Sequence, residues 1–116
     1  MRGIPLSAHG AIEMFAAPAI MAAPFLLGFG QAATVAAVLV GVALLGLALQ
    51  TDAPGRAVPL AAHAGFDYAL ALTALLSGVA IGVITGEWYA TIFLVGVGAA
   101  QVVLTASTRF SAPRRA

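Results

Sequence analysis

The sequence predicts an all-α integral membrane protein whose four transmembrane helices form two tandem helical hairpins. Of its 116 residues, 62% are hydrophobic and 8% are charged, whereas soluble domains carry about 25% charged residues. So few charges do not cover a water-facing surface, and the bilayer is therefore the expected solvent. Four apolar runs are each close to the roughly 20 residues that a spanning helix needs, and one short stretch of sequence occurs twice.

The repeated stretch marks the start of a structural unit that the chain uses twice. Residues 5–13 read PLSAHGAIE and residues 59–67 read PLAAHAGFD, and each copy opens a long apolar run. The segment LVGV also occurs twice, at 39–42 and at 94–97. Because each copy has an even number of crossings, both copies point the same way, which predicts a parallel internal repeat.

The first repeat is predicted over residues 1–52 and contains helices at 8–28 and 31–49. Pro18 and Pro24 lie inside the first helix, and each removes a backbone donor, which favours a kink. A tight, uncharged turn, GFGQ, connects the two helices. Because the first apolar run is copied within the chain, we expect a helix there rather than a cleaved signal peptide.

The second repeat is predicted over residues 53–116 and contains helices at 60–84 and 88–108. The polar linker QTDAPGRAV, with its Pro-Gly turn signal, joins the two repeats. The turn TGE connects the last two helices, and Trp88 and Tyr89 open the fourth. Aromatic side chains with one polar atom favour the headgroup zone. The two repeats together are expected to form one membrane domain.

Small residues recur at helical spacing on the predicted helices. Such stripes let two helix backbones approach closely within lipid. We therefore predict that helix packing involves Ala33, Ala37, Gly41, Ala74, Gly78, Gly82 and Gly96. Because almost no chain remains outside the bilayer, partners are expected to be met within it, either as further copies of the chain or as subunits of a larger membrane complex.

The basic residues predict the orientation of the chain. All of them lie on the side shared by both termini and the central linker, namely Arg2, Arg56, Arg109, Arg114 and Arg115. The two turns on the opposite side hold a single charged residue, Glu87. Basic residues concentrate on the cytoplasmic side of membrane proteins. Both termini are therefore predicted to face the cytoplasm, with the protein in the bacterial cytoplasmic membrane.

Each copy of the repeat carries a histidine that is followed four residues later by an acid. His9 and Glu13 form the first pair, and His63 and Asp67 form the second. At 3.6 residues per turn, the two members of each pair lie on one helix face, one turn apart. Ionisable groups at this depth in a membrane usually face a bundle interior or a wet cavity. These four residues are therefore the candidate site.

Three hypotheses account for the two pairs. In the first, each acid complements the dipole at a helix amino terminus while its histidine snorkels to the interface. In the second, the pairs from both repeats converge and form a polar or proton-titratable cluster. In the third, His9 and His63 hold a metal or a haem, since two histidines and two carboxylates are a sufficient ligand set.

Several chemistries have no sequence support. The chain has no cysteine, which removes disulfides, thiolate catalysis and zinc–thiolate sites. It has no CxxCH or HExxH motif, phosphate-binding loop or nucleophile triad, and its five basic residues are too few for a nucleic-acid surface. Gln101 and Thr105 share a face of the fourth helix, where hydrogen bonds between helices are expected. We therefore predict no enzyme, and we assign no catalytic residue, metal or cofactor.

The end of the first helix carries a short motif. The segment APF at 23–25 is followed by LGF at 27–29. This resembles the SPW-repeat family of small bacterial membrane proteins, whose two-helix unit has Ser-Pro-Trp followed by a Leu-Gly-Phe-like turn and is often present twice. The second repeat has SGV at 77–79 instead. The resemblance implies a four-helix integral membrane protein, and it supplies no established catalytic residues.

These observations predict a small non-enzymatic integral membrane protein, a structural or accessory subunit that assembles through its small-residue helix faces. An alternative is a small transporter or channel-like protein, with the two histidine–acid pairs lining a cytoplasmic vestibule. A further alternative is a metal- or haem-binding membrane subunit. The direction in which the four side chains point distinguishes these functions.

Overall fold

The computed structural model describes residues 3–51 and 59–110. Apart from two short strands, the regular structure of these residues is helical, and its four helices are α1, Leu6–Leu27, α2, Gln31–Gln50, α3, Leu60–Thr85, and α4, Trp88–Ala106. By length and composition, each of them could cross a membrane. The prediction of four helices of spanning length is confirmed, and their ends lie within two residues of the predicted bounds.

Glycines end the first and third helices. Gly28 follows α1 with φ 69°, and Gly86 follows α3 with φ 77°. Both values lie in the left-handed region, which glycine adopts without a steric penalty. The backbone N–H of Gly86 donates to the carbonyl of Gly82, which satisfies one of the free carbonyls at the end of α3. α1 runs through both of its prolines before it reaches Gly28.

Glycines also bring neighbouring helices together. α1 packs chiefly against α2, and α3 packs chiefly against α4. A Cβ atom at Gly41 would meet Met21 and the backbone of Ala17 on α1. A Cβ atom at Gly98 would lie 2.7 Å from Cγ of Leu75 and 2.8 Å from the carbonyl oxygen of Ala71 on α3. Each glycine therefore marks a close approach of two helix backbones.

The small residues predicted to pack are buried, with one exception. Six of them lie buried within the chain: Ala33, Ala37, Gly41, Ala74, Gly78 and Gly82. Gly96 is exposed, and a Cβ atom there would meet nothing within 4 Å. Gly96 therefore makes no close packing contact within the described part of the chain, and a role for it in helix packing stays a prediction. Gly98, two residues further along α4, makes the close contact instead.

One end of the molecule joins the first described residues to the last. Strand β1, Ile4–Pro5, pairs in parallel with strand β2, Thr108–Arg109. The backbone N–H of Ile4 also donates to the carbonyl of Ser107 at 2.9 Å. The sequence did not predict these strands. α4 ends at Ala106 rather than at residue 108 because the chain turns there into the extended pairing.

The opposite end is held by a contact between the two turns. The carboxylate of Glu87 accepts a hydrogen bond from the backbone N–H of Gly30 at 2.9 Å. Gly30 directly precedes α2, so the acid satisfies a free amide at that helix start and complements the helix dipole. Because Glu87 directly precedes α4, this contact fixes the starts of α2 and α4 beside each other.

The interior between the two ends is apolar. One cluster of buried side chains comprises Ala17, Ile20, Val40, Leu44 and Ala74. A second comprises Ala33, Ala37, Ile81, Ala90 and Leu94. The outer faces also carry large apolar side chains, and Phe15, Leu26 and Tyr89 are each more than 80% exposed.

The arginines that predict the orientation fall mostly outside the described residues. Arg2, Arg56, Arg114 and Arg115 lie outside them, and Arg109 lies within them. Arg109 belongs to strand β2, at the end of the molecule where α1 begins. The cytoplasmic position of both termini therefore stays a prediction.

Gly98→Ala tests the close packing of α3 against α4. The new methyl group would overlap Leu75 and the backbone of Ala71, and overpacking of this kind typically costs about 1–3 kcal/mol. We expect a loss of that size in the free energy of unfolding. Titration of the detergent-solubilised protein with sodium dodecyl sulfate, followed by circular dichroism, measures it.

Gly96→Ala is the matched control for this variant. It lies on the same helix, where the added methyl group enters open space, and alanine is otherwise favoured over glycine within a helix by about 0.5–1 kcal/mol. The control is therefore expected to be neutral or stabilising. Equal losses in the two variants would contradict the packing described.

Candidate functional site

The two histidine–acid pairs come together near one end of the bundle. His9 and Glu13 lie near the start of α1, and His63 and Asp67 lie near the start of α3. The spacing of four residues places each pair on one helix face, and these two faces are turned towards each other. All four side chains are buried, with at most 1% of their surface exposed.

The four side chains form a closed ring of alternating nitrogen and oxygen atoms. The ring atoms are, in order, Nε2 of His9, Oε1 of Glu13, Nε2 of His63 and Oδ2 of Asp67. The distances between successive atoms are 3.2, 3.7, 3.3 and 3.0 Å, the last one closing the ring. We call this arrangement the His–acid ring. Each carboxylate oxygen in it lies between two imidazole nitrogens.

Gln101 on α4 holds the two acids of the ring. Its side-chain amide nitrogen donates to Oε2 of Glu13 at 2.9 Å and to Oδ1 of Asp67 at 3.0 Å. Gln101 is itself buried. The amide therefore uses both of its N–H bonds on the carboxylate oxygens that are not ring atoms, which leaves Oε1 and Oδ2 directed at the imidazoles.

Thr108 determines how His9 faces the ring. Nδ1 of His9 lies 2.8 Å from the hydroxyl oxygen of Thr108, and that hydroxyl donates to the backbone carbonyl of Leu104. The hydroxyl proton is thus already used, so Nδ1 carries the hydrogen in the bond to Thr108. Nε2 then meets the acids either as a second N–H group or as a lone pair directed at a cation.

Phe110 covers the imidazoles. The ring centroid of Phe110 lies 5.1 Å from that of His9 and 5.7 Å from that of His63. The two imidazoles lie edge to face, with their centroids 5.8 Å apart. Phe110 directly follows strand β2, so the strand pair at this end of the molecule positions an apolar cover over the ring.

The hydrogen bonds of the ring are incomplete. Within residues 3–51 and 59–110, Oε1 of Glu13 and both imidazole nitrogens of His63 have no hydrogen-bond partner of good geometry. Buried polar atoms without a partner are rare in proteins, and each one calls for an explanation. Oε1 of Glu13 and Nε2 of His63 are both atoms of the His–acid ring, so two of these three atoms without a partner belong to it.

The structure distinguishes among the hypotheses for these residues. Both histidines are buried and neither extends to the surface, unlike the snorkelling arrangement. All four candidate residues converge, as the second and third hypotheses require. The sequence indicated hydrogen bonds between helices for Gln101 but not its contacts with both acids. It gave no signal for Thr108 or Phe110, because their positions depend on the unpredicted strand pair.

The arrangement can exchange protons or hold a small cation. One donor atom from each ring residue can be chosen so that all four lie within 4.8 Å of one another. Imidazoles beside carboxylates can pass protons between them. Imidazole nitrogens and carboxylate oxygens also ligate metal ions. A haem fits less well, because the carboxylate oxygens occupy the space beside the two Nε2 atoms where a flat macrocycle would lie.

Thr108→Val tests the orientation of His9. Valine keeps the shape of threonine but cannot accept the Nδ1–H bond, so a buried donor loses its partner. This typically costs about 1–3 kcal/mol, and we expect the free energy of unfolding to fall by that amount. Thr105→Val is the control, because the hydroxyl of the buried Thr105 has no partner among the described residues and its loss should be neutral. A control that destabilises as much would refute the role of Thr108.

No protein-family model, curated protein or solved structure matches this chain. The resemblance of its first repeat to the SPW-repeat family therefore stays a prediction. The function has to be argued from the geometry of the His–acid ring.

Proposed function

We propose that this chain is a small non-enzymatic protein of the bacterial cytoplasmic membrane that binds a cation at the His–acid ring. The observation that carries the proposal is the ring itself, in which two imidazoles and two carboxylates are brought together out of contact with solvent. Ionisable side chains inside a membrane protein are costly, and they commonly mark ion or proton sites.

The size and charge of the ring support a cation as its occupant. Two carboxylates bring a charge of −2 into a setting of low dielectric constant, where it has to be balanced. Protons on the imidazoles or a metal ion both supply that balance. Gln101 and Phe110 lie against the ring, and all four ring side chains are buried. This burial supports a small ion as the occupant, and a non-enzymatic role is part of the proposal.

The proposal includes a repeat of two tandem helical hairpins. Gly41 packs on Ala17 in the first hairpin, and Gly98 packs on Ala71 in the second. Ala17 and Ala71 follow His9 and His63 by the same eight residues. Equivalent contacts at equivalent distances from the histidines support a parallel repeat. Each hairpin then contributes one histidine and one acid, and the ring is complete only when both are present.

The ring is assigned to the cytoplasmic side of the membrane. It lies at the end of the bundle that carries Arg109. In the sequence, the other arginines precede α1, lie between α2 and α3, or follow β2. The positive-inside rule therefore supports cytoplasmic termini. The outward-facing apolar side chains of all four helices support lipid as their surroundings.

The interior of the bundle favours a one-sided binding site over a channel. A transport path from the ring to the opposite end would have to pass the two clusters of buried apolar side chains. Close-packed apolar side chains do not hydrate or conduct an ion. The cation is therefore expected to enter and leave at the cytoplasmic end.

An accessory subunit in a larger assembly is a second candidate, and the outer surface favours it. An open apolar groove of about 590 Å³ lies between α2 and α3, and its walls include Leu39, Leu70 and Ile81. The buried small residues are already used within the chain. Further copies of the chain or other membrane subunits would therefore pack at this groove rather than on the small-residue stripes. The two candidates are compatible.

Asp67→Asn tests the charge balance of the ring. Removing one carboxylate leaves the remaining buried charges uncompensated, which typically costs about 3–5 kcal/mol. We expect the free energy of unfolding to fall by that amount. The combined change His9→Leu, Glu13→Gln, His63→Leu and Asp67→Asn removes every charge and keeps acceptors for Gln101, so it should recover most of the loss. If Asp67→Asn alone proves neutral, the ring is not a charged unit.

Nuclear magnetic resonance of the imidazoles tests cation binding directly. The chain has two histidines, so in a tag-free protein with ¹⁵N-labelled histidine every imidazole signal comes from the ring. We expect the Nε2 signals to shift between about pH 5 and about pH 8 or on addition of a metal ion. Glu87→Gln, at the opposite end, should leave these shifts unchanged. Signals that respond to neither protons nor any added cation would refute the proposed function.

A further inference from the structure

The donor atoms of the His–acid ring select one class of cation. Two imidazole nitrogens and two carboxylate oxygens suit first-row divalent transition metals, whereas Mg²⁺ and Ca²⁺ prefer oxygen ligands alone and in larger number. The chain has no cysteine for a softer site. Building on the proposed function, we propose that the ring binds a divalent transition-metal ion, with Zn²⁺ as its best match.

The nitrogen–oxygen distances of the ring fit neighbouring ligands of one Zn²⁺ ion. Zn²⁺ takes nitrogen and oxygen ligands at about 2.0–2.2 Å, so neighbouring ligand atoms of a tetrahedral site lie about 3.3–3.5 Å apart. The four sides of the ring measure between 3.0 and 3.7 Å. Each nitrogen atom of the ring and the oxygen atoms beside it can therefore share one ion.

The surrounding residues orient the ligands as they do in known metal sites. A histidine that ligates a metal through one nitrogen usually donates its other N–H to a neighbouring acceptor, and ligating carboxylates are themselves hydrogen-bonded. Here Thr108 accepts from Nδ1 of His9. Gln101 donates to the outer oxygens of Glu13 and Asp67. These contacts leave one donor atom of each of these three residues, His9, Glu13 and Asp67, directed at the ring.

The unpartnered atoms are an independent indication of a ligand. Oε1 of Glu13 and Nε2 of His63 are buried and meet no hydrogen-bond partner in the described part of the chain. Both are ring atoms that would contact the ion. Coordination of a metal would satisfy the two atoms at once, which the side chains around them do not do.

The charge balance of the ring determines how many protons a metal ion has to displace. With neutral imidazoles, a divalent ion and two carboxylates sum to zero, and two protons on the imidazoles give the same sum. The metal and a pair of protons are therefore alternative occupants of one site. Metal binding releases the protons that it replaces, about two per ion when both imidazoles start protonated, and calorimetry in buffers of different ionisation enthalpy counts them.

The decisive experiment is elemental analysis of the tag-free protein in mild detergent. The protein is stripped with a chelator, loaded with Zn²⁺ and dialysed against metal-free buffer. We expect one zinc ion per chain, and none in His9→Ala/His63→Ala. Glu87→Gln changes a carboxylate at the opposite end and should retain the full zinc content. Far-UV circular dichroism checks that each variant is folded.

Gln101→Leu provides a second test that leaves all four ligands in place. Loss of a residue that orients metal ligands typically lowers metal affinity about 10–100-fold. We expect a loss in that range, measured by competition with a zinc-sensitive dye. Co²⁺ serves as a spectroscopic substitute, because its visible absorption reports tetrahedral coordination. An unchanged affinity in Gln101→Leu would place the metal somewhere other than the ring.

The outcomes separate this inference from the proposed function. A folded wild-type protein that retains no metal, but whose imidazole signals still respond to protons, overturns the metal inference and leaves the cation-binding function in place. Equal zinc content in the wild type and the double histidine variant also overturns the inference, because the ion is then adventitious. A protein without metal and without any imidazole response overturns both.

Discussion

The contacts among the four buried side chains of the His–acid ring are the polar interaction that links α1 to α3. α1 and α3 each pack chiefly against the helix that follows them in the chain, and the His–acid ring links these two helices to each other. Removing any one member would leave its opposite charges uncompensated in an apolar interior. The ring thus adds a polar contact between α1 and α3 to the contacts of the apolar clusters.

The sequence predicted the helices well because length and apolar composition are local properties. It also placed each histidine and acid on one face, since a spacing of four residues determines their relation within a helix. It could not show that the two faces meet, because the rotation of one helix against another depends on packing along the whole length of both. Thr108 and Phe110 lay beyond prediction for a related reason: a two-residue strand pair positions them, and so short a pairing has no sequence periodicity.

Gly96 shows that two segments can be identical in sequence and still lie at different positions along their helices. The LVGV segments align Gly41 with Gly96, yet counted from Gln31 and Trp88 the eleventh residues of α2 and α4 are Gly41 and Gly98. By the same count, Leu44 of α2 corresponds to Gln101 of α4. At this position α2 places an apolar side chain in the core, whereas α4 places the amide that donates to both acids. The residues at this position therefore have different roles in the two helices.

The pairing of Ile4–Pro5 with Thr108–Arg109 has a consequence for the order of events during synthesis. His9 and Glu13 of the ring come from the first part of the described chain. Thr108 and Phe110, which contact His9, come from its last part, and α4 supplies Gln101. His9 and Glu13 are made first, His63 and Asp67 follow with α3, and Gln101 follows only with α4. The ring and the amide that contacts both of its acids can therefore be complete only after α4 has been synthesised. An ion that required the complete arrangement would bind only after that point.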